Sequence, residues 1–399
     1  ESKANPAKIE CPAVFDFTPQ YPHESSGVLE RLAVSILSNL ETNVWCRTKL
    51  FELQIKMGCK HFRTAMAPSL GVSSVFAEDE SYEMSFISGD TRNSQYRPVS
   101  ARSVISTTDN KAFVMGGNSW VSLTNPGTSF ASGAYAVSNS KLYLFGGNNG
   151  SLQSAVRKYD PIARSWSNKT SMSGGARSDM AAVELDGLIY VIGGQDNSGV
   201  LARVEIYDPV ANSWSNASDL PVALYSISAV AIDGRIYVFG GNDGSNNVAS
   251  TYEYNPGSDS WNPKANMPGG DRSSTTAAVY NDKAYVFGGN GASNVVEEYD
   301  PEGNSWSNKA NLPTGRSGAS AVTLGDEIYV AAGYDGSSEL NILEKYNPGS
   351  NTWSGTLDSL DTAVNEAAIG TIDGLIYFVG GTSAGSAQDQ MQMYFKGVV

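Results

Sequence analysis

An all-β fold built from radially repeated four-stranded units is predicted by three observations on this 399-residue sequence. A run of aromatic and aliphatic residues ending in a glycine pair recurs along it. Behind most copies, Tyr-Asp-Pro or Tyr-Asn-Pro and then a tryptophan follow at nearly constant distance. Finally, 41 Gly, 20 Tyr and 7 Trp stand against only 17% charged residues, a composition of short strands and turns rather than long surface helices. Units of this length stack to bury their sheet faces, and a radial stack of four-stranded sheets is a β-propeller.

The glycine-pair run appears as KAFVMGG (111–117), KLYLFGG (141–147), LIYVIGG (188–194), RIYVFGG (235–241), KAYVFGG (283–289), EIYVAAG (327–333) and LIYFVGG (375–381), seven copies in all. Successive spacings are 30, 47, 47, 48, 44 and 48 residues, one short unit and five of about a blade length. Before each full copy lies a small, semi-apolar stretch such as SDMAAVEL or SISAVAI, suited to an innermost strand crowded near a central axis. The apolar run itself reads as a strand buried on both faces, and its glycines allow a tight turn where a Cβ would clash. A third strand ends in the tripeptides at Tyr159, Tyr207, Tyr254, Tyr299 and Tyr346, because proline cannot donate to a continuing ladder. The outer strand opens with Trp166, Trp214, Trp261, Trp306 or Trp353. Buried between blades, such an indole is expected to cost roughly 3–5 kcal/mol on truncation to alanine.

These residues resemble the kelch repeat, with its glycine pair after an aromatic-aliphatic strand, then Tyr, then Trp; the resemblance covers roughly residues 100–399. It implies a kelch-type propeller. Counting glycine pairs gives seven blades; a six-bladed ring with the first unit as an appendage is the alternative. The first unit departs, placing Trp120 only four residues after Gly116, and the last ends after QMQMYF (390–395) without a Trp strand. Because a terminal strand closes the ring in the kelch pattern, YEMSFI (82–87) is expected to supply the missing outer strand of the last blade.

The domains expected are a small α+β segment over 1–80 and the propeller over 81–399. In the first, SGVLERLAVSILSNLE (26–41) carries Leu29, Leu32, Ile36 and Leu40 at helical spacing behind Ser26 as N-cap, and FELQIKM (51–57) alternates as a strand does. Cys11, Cys46 and Cys59 all lie there, either as one disulfide with an odd thiol or as three free thiols. The first residue is Glu1 rather than Met, as in a processed precursor or a trimmed chain. Asn149, Asn168 and Asn216 head Asn-X-Ser/Thr acceptors, which favours a secreted, extracellular protein over the cytoplasmic alternative.

The net charge of −14 and the lack of any basic run exclude a nucleic-acid partner, and no apolar stretch is long enough for membrane insertion. Both histidines, His23 and His61, and every cysteine precede the propeller. The metal ligands of kelch-fold copper radical oxidases and iron-dependent specifier proteins therefore cannot be assembled from propeller residues, and no metal, cofactor or catalytic residue is expected. The loops NDGS (242–245) and YDGS (334–337) lack calcium-loop spacing and read as tight turns.

What remains is a polar loop face ahead of the innermost strands. Symmetry would bring Arg102, Arg177, Arg272 and Arg316 into one ring, where they would either grip ligand carboxylates or hold carbonyls of neighbouring blades. Kelch interaction domains contact peptides at and just after this position, so the resemblance adds Ser178, Tyr225, Ser273, Ser317 and Glu366 as ligand-binding candidates. The function expected is an interaction scaffold binding a protein or glycan; the alternative is a carbohydrate-active enzyme, similar to mutarotases or lyases, acting at the central channel. A carboxylate within about 3 Å of an arginine inside a pocket would favour the enzyme, a broad shallow face the binding module.

Overall fold

The computed structural model describes residues 119–396 together with six strands between residues 52 and 113. The chain divides into two compact units, residues 1–117 with 397–399, and residues 118–396.

In the first unit, Glu52–Met57, Lys60–Ala67, Val72–Ala77 and Glu83–Ile87 form an antiparallel meander. Lys111–Phe113 adds to Glu83–Ile87 in parallel and Ile105–Ser106 completes the sheet. The alternating FELQIKM segment is thus a strand. The helix expected over 26–41 and the three cysteines lie outside the described residues.

The second unit is a ring of six antiparallel four-stranded blades, so the alternative blade count holds and seven is corrected to six. Blade 1 spans residues 134–169, blade 2 181–216, blade 3 228–264, blade 4 276–308 and blade 5 320–354. Blade 6 takes three strands from 368–395 and its outer strand from Ser119–Ser122, which pairs Trp120 with Tyr394. The glycine-pair copy at 111–117 misled the count because its strand belongs to the other unit's sheet. YEMSFI likewise pairs there, and Trp120, placed early in the sequence, is the sixth member of the Trp series.

The tyrosines and tryptophans build the walls. Each third-strand Tyr lies opposite the outer-strand Trp of its own blade, as in Tyr207–Trp214 and Tyr299–Trp306. It also meets the second-strand Tyr of the preceding blade, from Tyr207–Tyr143 round to Tyr394–Tyr329 and Tyr159–Tyr377, with ring centroids 5.6–6.0 Å apart in all six. These phenols are fully buried, and burial pushes Tyr207, Tyr299 and Tyr346 up to about 12. The indoles differ from expectation: only Trp120 is fully buried, and the other five are half-buried at the rim. There each indole N–H donates to a carbonyl of the neighbouring blade, for instance Trp306 Nε1 to Ala265 O at 2.8 Å.

A clasp repeats beside that bond. Asn304 Oδ1 accepts from the Tyr299 hydroxyl at 2.9 Å and from the Ala265 N–H at 2.9 Å, so one residue of blade 4's outer turn grips the end of blade 3. Asn212, Asp259 and Asn351 do the same in blades 2, 3 and 5. All four adopt positive φ (44–54°), a conformation Asn and Asp tolerate. The glycine pairs serve the opposite end of the blades. Gly240 and Gly241 have φ of 60° and 104°, a Cβ on Gly240 would strike the Arg272 carbonyl of the next blade, and Gly241 N–H donates to that carbonyl at 2.9 Å.

Candidate functional site

All six innermost strands run the same way, so the loops that precede them share one face with the loops that follow the glycine pairs. Three consecutive positions before each innermost strand have separate duties, repeated six times. The first comprises Phe130, Arg177, Leu224, Arg272, Arg316 and Val364. Its carbonyl accepts from the second residue of the preceding blade's glycine pair. The second comprises Ala131, Ser178, Tyr225, Ser273, Ser317 and Asn365, whose backbone bridges to the loop of its own blade, as Tyr225 does with Asn242.

The third position closes a circle. Ser132, Asp179, Ser226, Ser274, Gly318 and Glu366 all have positive φ (51–59°), and each donates its N–H to the carbonyl of the one before. Asp179 donates to Ser132, Ser226 to Asp179, Ser274 to Ser226, Gly318 to Ser274, Glu366 to Gly318 and Ser132 to Glu366, at 2.6–3.2 Å. Six backbone bonds thus frame the mouth of the central channel.

Below the mouth lies a cavity of about 180 Å³. Its wall is set by the second residue of five innermost strands: Ala182, Ala229, Ala277 and Ala321 keep it open, and Tyr135 fills the equivalent place in blade 1. The phenol reaches the hydroxyls of Thr276 and Ser320, in blades 4 and 5, and so crosses the channel axis; burial pushes it up to about 12 despite those two bonds. Two carboxylates stand at the mouth on either side of Ser132. Glu366 accepts from the Ser132 hydroxyl, and burial, followed by the nearby Asp179 charge, raises its pKa above the usual carboxylate range. Asp179 Oδ2 accepts from Ser178 Oγ at 2.6 Å and Gln195 Nε2 at 2.9 Å.

Of the residues nominated from sequence, Glu366 alone lines this cavity. Ser178, Tyr225, Ser273 and Ser317 stand one position earlier, with Ser178 and Ser273 buried in the frame. Arg102 lies outside the described residues. Arg177, Arg272 and Arg316 do occupy equivalent places, but inside the wall: they are 0%, 4% and 0% exposed and ion-paired with Glu205, Glu297 and Glu344 of their own blades. One terminal nitrogen of each also donates to a carbonyl, of Val191, Gly288 and Ala332 respectively. Burial draws all three guanidinium groups below their ordinary value and pushes Glu297 and Glu344 up, so desolvation outweighs attraction within these pairs. The guanidinium groups are spent on the fold, because a loop that folds inward over a buried Glu needs a cation to neutralise it. Sequence reasoning passed over Asp179, Ser132, Ser226, Ser274 and Tyr135; the signal for the last was a lone aromatic at a place that is alanine in four of the other five blades and Ile369 in blade 6.

NDGS and YDGS are tight turns, with Asp243 Oδ1 accepting from Ser245 and Asn246 N–H and Asp335 Oδ1 from Ser337 and Ser338 N–H, all at 2.8 Å. Among the described residues no three His, Cys, Asp or Glu side chains converge as a metal site requires, and no helix is long and apolar enough to cross a membrane.

Comparison with known proteins bears on the fold. A search of curated proteins found no match. Among solved structures, one described as "Structure of YjhT" aligns with a TM-score of 0.59 at 20% identity, covering 68% of this chain and 96% of that one, a likeness of fold alone. The pattern of the KLHDC2/KLHL20/DRC7 Kelch-repeats domain matches residues 131–311 and again 180–358. With the glycine pairs, the Tyr–Trp register and the six closed blades all following that pattern, the chain belongs to the kelch-repeat β-propeller family.

Proposed function

We propose that this protein is an interaction module that docks a protein partner on the face framing the central cavity. Kelch propellers commonly serve as protein-interaction modules, and one observation carries the reading to this face. The backbone ring and buried Arg–Glu pairs join the blades there, and the side chains of Tyr225 and Tyr334 take no part in those joins. Tyr225, Asn242, Tyr334 and Asp335 are half-buried among exposed Asp243, Asp271 and Asp389, a broad polar surface around a small hollow. The carboxylates nearest arginines sit inside the wall, not in the cavity, so the arrangement that would favour a carbohydrate-active enzyme is not the one that lines the channel.

The test is capture on immobilised full-length protein, comparing Tyr225→Ala with Tyr334→Ala against Lys283→Glu on the opposite face. A protein lost only with the first pair supports the reading; one lost only with the second, or with neither, overturns it. We place the protein outside the cell on the three acceptor asparagines, all exposed. A mobility shift on enzymatic deglycosylation of native material checks this, and no shift counts against it.

A further inference from the structure

The loops of the cavity-bearing face are rich in carboxylates. The loops that form it hold Asp196, Asp219, Asp243, Asp271, Asp335, Glu339, Asp361 and Asp389 at exposed or half-exposed positions. Of the cations at this end, Arg177, Arg272 and Arg316 are buried in ion pairs, Arg157 reaches the Pro126 and Thr128 carbonyls, Arg203 donates to the Gly174 carbonyl, Lys264 pairs with Glu253 at 2.7 Å and Lys309 with Glu298 at 2.9 Å, and Lys169 is half-buried. At the other end of the blades Lys141, Arg235 and Lys283 open second strands and Lys345 and Lys396 pair with Glu327, and the turns there carry exposed carboxylates of their own, among them Asp186, Asp233, Asp282 and Asp373.

The cavity itself is acidic. At about 180 Å³ it has the volume of roughly six waters, below the several hundred Å³ of a site for a drug-sized ligand, so it fits one side chain. Its wall contributes Asp179 and Glu366, the hydroxyls of Ser132, Ser226, Ser228, Ser274 and Thr276, and no cationic side chain. A carboxylate or phosphate entering there would meet two carboxyl groups and no counter-charge. An ammonium or guanidinium group would meet two acceptors on either side of Ser132 and a hydroxyl lining to replace its water. Alanine methyls along the wall would cover its aliphatic stem.

Resting on the docking reading above, we propose that the partner segment is cationic and inserts one lysine or arginine side chain into the central cavity between Asp179 and Glu366. The exposed loop carboxylates then steer the rest of the segment, while the cavity pair sets how tightly it is held.

Fluorescein-labelled octalysine and octaglutamate, titrated onto the full chain and followed by fluorescence anisotropy, provide the test. Octalysine is expected to bind and octaglutamate not to. Asp179→Asn with Glu366→Gln should weaken octalysine at least about tenfold, whereas Asp243→Asn with Asp389→Asn, which removes the same charge from the same face, should weaken it less than about threefold. Thermal melts check that each variant folds. Equal losses in the two double variants would mean a diffuse acidic surface and overturn the proposal, as would octaglutamate binding or the absence of octalysine binding. If octalysine fails while a captured partner is still lost with Tyr225→Ala and Tyr334→Ala, the docking reading stands and the cationic insertion falls.

Discussion

The outer rim and the channel mouth of this propeller solve the same problem, joining blade to blade, in opposite ways. At the rim the join is made by side chains, Trp indole to carbonyl and Asn or Asp to Tyr and backbone, and those side chains repeat from blade to blade. At the mouth the join is made by backbone, six N–H to carbonyl bonds in a circle, and the side chains at those positions are Ser, Asp, Ser, Ser, Gly and Glu. Where backbone holds the blades, the side chain is released from structural duty. Repetition therefore marks the fold, and variation on a repeated backbone marks the surface free to acquire a ligand.

That contrast can be broken or sharpened by substitution. The largest effect is expected inside the wall: Arg316→Met leaves Glu344 buried and unpaired and should cost about 3–5 kcal/mol in denaturant unfolding. Arg316→Leu together with Glu344→Gln should recover most of that loss, since blade 6 is already built with Val364 and Gln392 at the same places. A double variant no more stable than the single would break the argument. Next comes the rim. Trp306→Ala removes a half-buried indole and its bond to Ala265, and should cost about 2–4 kcal/mol, less than a fully buried tryptophan would. Asn304→Ala loses two hydrogen bonds at a positive φ and should cost about 1–3 kcal/mol, with Asn304→Gly milder because glycine keeps the backbone conformation.

The smallest effect is expected at the mouth, and its sign is opposite. A carboxyl whose folded pKa is raised disfavours the folded state once pH exceeds its unfolded value, so Glu366 subtracts stability in neutral solution and none in acid. Glu366→Gln should raise the melting temperature at about pH 8 and leave it unchanged at about pH 4. A loss at pH 8 would show that Glu366 holds the ring together after all.

The repeat was legible because its period is covalent: the glycine pairs, Tyr and Trp recur in the chain whatever it folds into. The blade count was not, since KAFVMGG has the local pattern of a second strand and only long-range pairing assigns it elsewhere. The fate of the arginines was written in the sequence but needed two positions to be read together. Arg177, Arg272 and Arg316 occur in the copies whose third strand carries Glu205, Glu297 and Glu344; where Leu224 or Val364 replaces Arg, Tyr252 or Gln392 replaces Glu. The cavity was hidden for a different reason: its frame is made of amide groups common to every residue, and no residue type announces a circle of backbone bonds.

The strand Ser119–Ser122 has a consequence for how this molecule is made. It is the first part of the propeller to leave the ribosome, and its pairing partner Met391–Phe395 is the last. Until Met391–Phe395 has emerged, the nascent blades must wait as an open arc with an unpaired sheet at one end, a state prone to association between chains. Once closure occurs, neither end can peel away without parting Trp120 from Tyr394, so a single four-residue strand turns a stack into a latch.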